Sequence, residues 1–305
     1  MKTLQGILYE KLRISKSSIS KQHNKSYNYR PNDINELRLI IKNKCKYCTS
    51  NILDLTDIDV SKLDTLNSML SSITLDNENE RNIDTIDVTS WDVSNVTNFK
   101  STFDSRLAER ITDIYGLDTW DVSKGESFRQ FFQNTVKLKN IDGIEEFKFG
   151  KGCYDLAYFF HRCESIKNID LSNWDVENVR YLGGLFFGCT SLKYFSFKNW
   201  KTSNVFSMVS MFKNCTALEE IIDTADLDLT TCTDITSMFY NCYSLKYIEN
   251  IENWNVSKLN SIEDTFNNCQ KLTCDLSKWK LKSTIHKKRA FLLTPRKLFI
   301  KPKIQ

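Results

Sequence analysis

Two stretches of the chain carry nearly the same pattern: WKTSNVFSMVSMFKNCTAL at residues 200–218 and LDLTTCTDITSMFYNCYSL at residues 227–245. The residue that opens each stretch has counterparts along the chain at intervals of 25 to 29 residues. These anchors are Trp91, Trp120, Phe147, Trp174, Trp200, Leu227, Trp254 and Trp279, and Ile58 opens a weaker earlier copy. A regular period of this size indicates stacked structural repeats, here about eight coils.

Two further positions repeat together with the anchors. A Phe stands 12 or 13 residues after the anchor in seven units, at Phe103, Phe132, Phe160, Phe186, Phe212, Phe239 and Phe266. A Cys stands three residues later in five of them, at Cys163, Cys189, Cys215, Cys242 and Cys269. Because stacking places equal positions side by side, we expect these residues to form buried ladders. The cysteines fit small reduced apolar side chains, and disulfide bridging is the alternative.

The spacing within a unit predicts an α/β repeat. Between anchor and Phe, the apolar residues Val205, Met208, Met211 and Phe212 lie close to helical spacing, which predicts a short helix or helical turn. After the Cys, SLKYF and SLKYI alternate in polarity, which predicts a short strand. One such unit cannot bury its apolar face alone, so the units are expected to stack.

The units WDVSNVTNFKSTF at 91–103 and LSNWDVENVRYLGGLFFGCTSLKYF at 171–195 resemble the BspA-like leucine-rich repeats, a bacterial surface-protein repeat of about 26 residues. The resemblance covers residues 52–280. It implies a right-handed leucine-rich-repeat solenoid used for adhesion or recognition. Members also occur in phages, and the lack of a recognisable export signal at the start favours a phage-encoded member.

Charge and composition divide the chain into four predicted segments. Residues 1–30 are predicted to be flexible and basic, 31–51 a capping helix and linker with Asp33 as its N-cap, 52–280 the solenoid, and 281–305 a basic C-terminal cap or tail. Residues 1–44 contain ten Lys/Arg and three Asp/Glu, and residues 276–305 contain ten Lys/Arg and no acid. No apolar run is long enough for a membrane span. The predicted location is the cytoplasm of the producing cell or a virion.

No enzyme motif is found in the sequence, and no cofactor is expected. The carboxylates of Asp92, Asp121 and Asp175 recur once per unit, which is typical of turn residues rather than catalysts. The CKYC motif at Cys45 and Cys48 has the spacing of half a zinc site, but no second ligand pair follows it. We expect these two cysteines to pack at the N-terminal end of the stack.

Binding is predicted on the strand-lined face, where residues that follow the repeated Leu point outward. The candidate binding residues are Lys139, Lys167, Lys193, Tyr194, Lys246 and Tyr247. A protein or glycan is the expected partner of this row, and an ordinary solvated face is the alternative. A second hypothesis assigns function to the basic termini, which would contact nucleic acid or an anionic surface.

Overall fold

The computed structural model describes residues 26–139, 141, 143–295, 299–300 and 303–304 of the 305-residue chain. Most of the predicted flexible basic segment therefore lies outside the described residues. The predicted C-terminal cap or tail, 281–305, is described up to residue 295, and beyond it at residues 299–300 and 303–304.

Two α-helices occur in the described residues: α1, Ile34–Lys46, and α2, Glu78–Asn82. Helix α1 begins as predicted, because the Asp33 carboxylate accepts hydrogen bonds from the backbone N–H of Asn35 at 2.7 Å and of Glu36 at 2.9 Å. These bonds satisfy donors that have no partner within the helix. Its buried face, made of Leu37, Ile41 and Cys45, joins the same core as the repeats.

The strands are short and parallel. They are β1 Ile52–Asp54, β2 Thr85–Asp87, β3 Asp113–Tyr115, β4 Tyr194–Ser196, β5 Glu220–Ile222, β6 Tyr247–Ile248, β7 Cys274–Asp275, β8 Lys280–Leu281, β9 Phe299–Ile300 and β10 Lys303–Ile304. The sheet orders are β1-β2-β3, β4-β5-β6, β7-β9 and β10-β8. Strands β4 and β6 occupy the predicted positions after the repeated Cys.

A second column of contacts runs along the whole stack. Single parallel bridges join equal positions of successive repeats, in the order Thr65, Asn98, Ser127, Asp155, Tyr181, Ser207, Asp234, Ser261 and His286. The chain is therefore a stack of parallel repeats that are hydrogen-bonded to one another on more than one side. The right-handed sense, the coil count and the terminal caps stay predictions.

Between anchor and Phe, where a short helix or a helical turn was predicted, the structure forms turns and no helix. From Met208 to Asn214 the backbone forms consecutive tight turns, with positive φ at Ser210 and Asn214. Alternate N–H groups, those of Met208, Ser210, Phe212 and Asn214, donate to the next repeat. The intervening N–H of Met211 donates within its own repeat, to the carbonyl of Met208. An α-helix would use all of these donors internally, whereas this backbone shares them with its neighbour.

The predicted Phe ladder forms the centre of the core. From Phe103 to Phe266, successive rings of the ladder are 5.3 to 5.8 Å apart between centroids and lie within 22° of parallel. Each ring is essentially inaccessible to solvent, and burying one Phe is worth about 2 kcal/mol. The Trp anchors are buried beside this ladder.

The Cys ladder has a hydrogen-bonding role that the sequence did not suggest. The thiol of Cys189 donates to the carbonyl of Phe160 at 3.1 Å, and the thiol of Cys215 donates to the carbonyl of Phe186 at 3.0 Å. Cys163, Cys242 and Cys269 make the same contact, each with the carbonyl of the ladder Phe in the preceding repeat. All ten cysteines are free thiols. Burial raises the pKa of Cys163 to about 12, so it stays protonated.

Candidate binding face

The predicted binding residues lie on one face, which we call the strand face and define by Lys139, Lys167, Lys193, Tyr194, Lys246 and Tyr247. The register of β4, β5 and β6 pairs Tyr194 with Glu220 and Glu220 with Tyr247. The two tyrosines are therefore separated by one strand and point to the same side. Tyr194 is 46% exposed and Tyr247 is 49% exposed. The structure thus brings both rings together in one solvent-facing row.

The lysines form a second row beside the tyrosines. The N–H of Lys193 donates to the carbonyl of Lys167 at 3.1 Å, and the N–H of Glu219 donates to the carbonyl of Lys193 at 2.7 Å. The N–H of Lys246 continues the row by donating to Glu219 at 2.8 Å. All four lysine side chains of the strand face are exposed, including Lys139. The row therefore crosses neighbouring repeats in the predicted order.

The members of this row differ in their charge partners. Lys246 Nζ lies 2.5 Å from Glu219 Oε2, and this hydrogen bond lowers the pKa of Glu219 and raises the pKa of Lys246. The charge of Lys193 also contributes to lowering the pKa of Glu219. Within the described residues, Lys139 and Lys167 have no carboxylate within 4.0 Å. Within the described residues, Lys139, Lys167 and Lys193 therefore form no ion pair, whereas Lys246 is paired with Glu219.

In the described residues the strand ladder is not continuous along this row. Strands β3 and β4 are not paired, and residues 168–170, in the repeat before β4, form no strand. Two grooves lie there. The lysine groove, of ≈ 440 Å³, is lined by Lys139, Ser165, Lys167, Asn168 and Ser191. The isoleucine groove, of ≈ 310 Å³, is lined by Lys139, Ile141, Ile144, Glu145, Asn168, Ile169 and Asp170.

Sequence reasoning missed an aromatic group on another side of the stack. Tyr154, Tyr181 and Phe206 come from three successive repeats and are 42%, 43% and 45% exposed. The N–H of Tyr181 donates to the carbonyl of Tyr154, so these residues lie at the single-bridge column rather than on the strand face. Each ring occurs at a position where the other repeats have polar residues, so the repeat pattern gave no signal for them.

The residues considered for metal binding or catalysis have structural roles. Asp92, Asp121 and Asp175 each accept a hydrogen bond from the N–H two residues later, which is the predicted turn role. Cys45 is buried in the core, and burial raises its pKa to about 12. Cys48 is half-buried, and its thiol donates to the carbonyls of Ser50 and Ile52.

No group of three or more His, Cys, Asp or Glu side chains in the described ranges could hold a metal ion. No helix in the same ranges is long and apolar enough to span a membrane.

Stacked parallel repeats around a buried aromatic ladder define a repeat protein. The chain belongs to the family described as "Mycoplasma protein of unknown function, DUF285", whose model matches residues 41–152, 154–279 and 225–295. The family description names Mycoplasma, and none of the comparisons supports the phage origin expected from the sequence. A search of curated proteins found no match.

Solved structures similar to this chain include two bacterial leucine-rich repeat proteins. The protein from Bacteroides ovatus ATCC 8483 is 16% identical, and the alignment covers 81% of this chain and 77% of that chain at a TM-score of 0.32. The protein from Eubacterium ventriosum ATCC 27560 is 14% identical, with 79% and 84% coverage and a TM-score of 0.32. At these scores the similarity does not extend to function.

Proposed function

We propose that this chain is a non-enzymatic recognition protein that binds a protein or glycan partner through the strand face. The observation that carries the proposal is the register of β4, β5 and β6, which sets Tyr194 and Tyr247 in one exposed row beside the lysines. Residues of the repeated pattern itself are buried, so they stabilise the stack. The exposed side chains between them are free to specify a partner.

The chemistry of the row supports binding. Tyrosine is enriched at protein interfaces because its ring gives a large contact area while the hydroxyl still forms hydrogen bonds. Both tyrosines are held on short hydrogen-bonded strands, so little backbone freedom would be lost on binding. Lys193 and Lys246 flank the rings, and their exposed charges suit the polar rim of an interface.

A two-part screen tests this proposal. The purified chain is applied to a glycan array and to a displayed library of random seven-residue peptides, at low and at physiological salt. The proposal predicts reproducible ligands from at least one source that still bind at physiological salt. If neither source yields a ligand at either salt concentration, the strand face is not a recognition surface for these classes.

The basic last repeat supports a second candidate function, the binding of nucleic acid or another anionic surface. His286, Lys287 and Lys288 are consecutive exposed residues, whereas Arg289 next to them is engaged by Asp264 at 2.7 Å. Exposed lysines bind phosphates through interactions that weaken steeply as salt rises. Binding of double-stranded DNA at low salt that is lost at physiological salt, and that is weakened by Lys287→Glu with Lys288→Glu, would favour this candidate. No binding at low salt would exclude it.

A further inference from the structure

Three exposed aromatic rings cluster on the single-bridge column, on a different side of the stack from the strand face. Tyr154, Tyr181 and Phe206 come from three successive repeats, and none of them belongs to the buried core. Single exposed rings are ordinary on a protein surface, whereas contiguous exposed apolar groups mark interaction sites. This cluster is therefore a candidate contact surface in its own right.

A cation lies between two of these rings. The N–H of Arg180 donates to the carbonyl of Tyr154 at 2.9 Å, and the N–H of Phe206 donates to the carbonyl of Arg180 at 2.9 Å. These three residues occupy equal positions of successive repeats, which sets the backbones of the outer two about 10 Å apart. Arg180 is exposed and, within the described residues, has no carboxylate within 4.0 Å. We call Tyr154, Arg180, Tyr181 and Phe206 the aromatic platform.

The charge beyond the platform differs between its two ends. Towards the C-terminus the column continues to His286, which is followed by Lys287 and Lys288. All three are exposed, and neither lysine has a described carboxylate within 4.0 Å. In the other direction the N–H of Tyr154 donates to the carbonyl of Glu126, an exposed acid. A polyanion on the platform would therefore extend towards the last repeat.

The other acids close to the platform already have partners. Asp155 is 8% exposed and its carboxylate lies 3.8 Å from Arg129. Asp234 accepts the N–H of Thr236 at 2.8 Å. The carboxylate of Glu177 lies 3.9 Å from the ammonium of an exposed lysine. These contacts reduce the repulsion that an anionic ligand would meet on this side of the stack.

An alternation of rings and a cation matches the chemistry of a single-stranded nucleic acid. Proteins that bind single strands combine aromatic side chains, on which the bases stack, with cations that follow the phosphates. A duplex keeps the faces of its bases inside its own stack, so it could use only the cations. A protein partner would also cover the rings, but the unpaired cations that lead to the last repeat favour a polyanion.

We propose that the bridge column binds single-stranded nucleic acid, with bases stacked on Tyr154 and Phe206 and with Arg180 contacting a phosphate between them. The strand then runs towards Lys287 and Lys288. The inference goes beyond the strand face and does not depend on it. It shares the basic last repeat with the second candidate function and adds a base-stacking site. Little sequence preference is expected, because every base has a face that can stack.

Fluorescence anisotropy with labelled oligonucleotides, at low and at physiological salt, tests the proposal. The probes are a strand of about 20 deoxythymidines, an abasic strand of the same length, and the duplex of the first strand with deoxyadenosine. Each probe is titrated with the wild-type chain and with the platform variant, Tyr154→Ala with Phe206→Ala. The matched control is Tyr194→Ala with Tyr247→Ala, which removes two rings of similar exposure from the strand face.

The wild-type chain is expected to bind the deoxythymidine strand roughly ten-fold more tightly than the abasic strand or the duplex. The platform variant should lose roughly ten-fold or more in affinity for that strand, because it loses two base stacks. The strand-face variant should bind as the wild type does, and so should Phe206→Tyr, which keeps a ring. Arg180→Gln should weaken binding and reduce its dependence on salt. Circular dichroism melting curves establish that the variants remain folded.

Failure to bind the deoxythymidine strand at low salt would overturn the inference. Equal affinity for the abasic strand, or full affinity in the platform variant, would overturn it too, because binding would then rest on charge alone. A dimer in analytical ultracentrifugation that the platform variant dissociates, without any oligonucleotide binding, would assign the rings to a contact between two copies of the chain. None of these results bears on the strand face, which the glycan array and the peptide library test separately.

Discussion

The thiol of Cys215 donates a hydrogen bond to the backbone carbonyl of Phe186, one repeat earlier, at 3.0 Å. The same carbonyl also accepts the N–H of Cys189 in its own repeat. A single buried side chain thus connects the aromatic ladder of one repeat to the turn of the next. This contact explains why a Cys occupies the position rather than an Ala, whose methyl group cannot donate a hydrogen bond.

Cys215→Ala is expected to lower the free energy of unfolding by roughly 1–2 kcal/mol, because it removes this hydrogen bond and leaves a small void in a closely packed core. Cys274→Ala serves as the control, since Cys274 is half-buried, lies outside the ladder and donates no thiol hydrogen bond within the described residues. It should cost less than about 0.5 kcal/mol. Urea unfolding followed by circular dichroism measures both. Equal losses for the two variants would contradict a structural role for the ladder.

The buried thiols should be chemically inert in the folded protein. Burial raises the pKa of Cys163 from 9.0 to about 12, and that of Cys232 to about 11. The reactive thiolate is therefore suppressed at neutral pH. Ellman's reagent at pH 8 should label the ladder cysteines only after denaturation. Rapid labelling of all ten thiols in the native protein would show that the ladder opens readily.

The same pKa shifts predict an upper pH limit for stability. In the unfolded chain these thiols ionise near pH 9, whereas in the folded chain they stay protonated up to about pH 11 for Cys232 and about pH 12 for Cys163. Their contribution to stability is therefore complete below pH 9 and is lost as pH rises through this window. The melting temperature should fall between pH 9 and 11, and less so in Cys232→Ala. If the melting temperature of Cys232→Ala falls as steeply with pH as that of the wild type, the Cys232 thiol is not one of the groups that set this limit.

The tryptophan anchors should differ in their tolerance of Phe. The indole N–H of Trp174 donates to the carbonyl of Ile144 at 2.8 Å, whereas the indole N–H of Trp120 has no acceptor in the described structure. Trp174→Phe loses this bond, although the carbonyl of Ile144 still accepts the N–H of Phe147, whereas Trp120→Phe removes an unsatisfied donor. We expect Trp174→Phe to be more destabilising by about 1 kcal/mol in urea unfolding. A larger cost for Trp120→Phe would contradict this explanation.

His161 should make the protein sensitive to mild acid. Burial, with a smaller effect of Arg162, lowers the pKa of His161 from 6.5 to about 4. Its Nδ1 lies 2.9 Å from Gln133 Oε1, and its ring packs edge-on against Phe187. The unfolded chain takes up the proton near pH 6.5, so stability is lost as pH falls from 6.5 to 4.

The matched variant for this prediction is His161→Gln, which cannot be protonated. Its melting temperature should fall less than that of the wild type between pH 6.5 and 4. Asp104 and Asp155, whose pKa values are raised by burial, act in the opposite direction but remain in both proteins. If the two pH profiles are parallel, His161 is not the acid-sensitive group.

The periodicity of the sequence predicted the stack well because repeat-position residues are fixed by burial. Phe212 and Cys215 occur where every neighbouring repeat needs the same side chain, so their roles could be inferred from spacing. Around Met208 and Met211 the spacing predicted a short helix or a helical turn but could not decide the backbone, because the spacing of apolar residues records which side chains are buried. It does not record whether Ser210 donates within its own repeat or to the next one.

The candidate site was only partly predictable for a related reason. Exposure of Lys193 and Tyr194 followed from their place after the repeated Leu192. Whether residues 168–170 form a strand depends on hydrogen bonds between repeats, which no single unit encodes. The exposed rings of Tyr154 and Phe206 interrupt the repeat pattern rather than follow it, so a search for periodicity passes over them.

The most direct test of the central claim compares two faces of the same stack. A ligand from the glycan array or peptide library is titrated against the wild-type chain, against Tyr194→Ala with Tyr247→Ala, and against Tyr154→Ala with Tyr181→Ala. The account predicts that the strand-face variant loses roughly ten-fold or more in affinity, whereas the variant at the bridge column binds as the wild type does. Full affinity in the strand-face variant, with loss in the other, would contradict it.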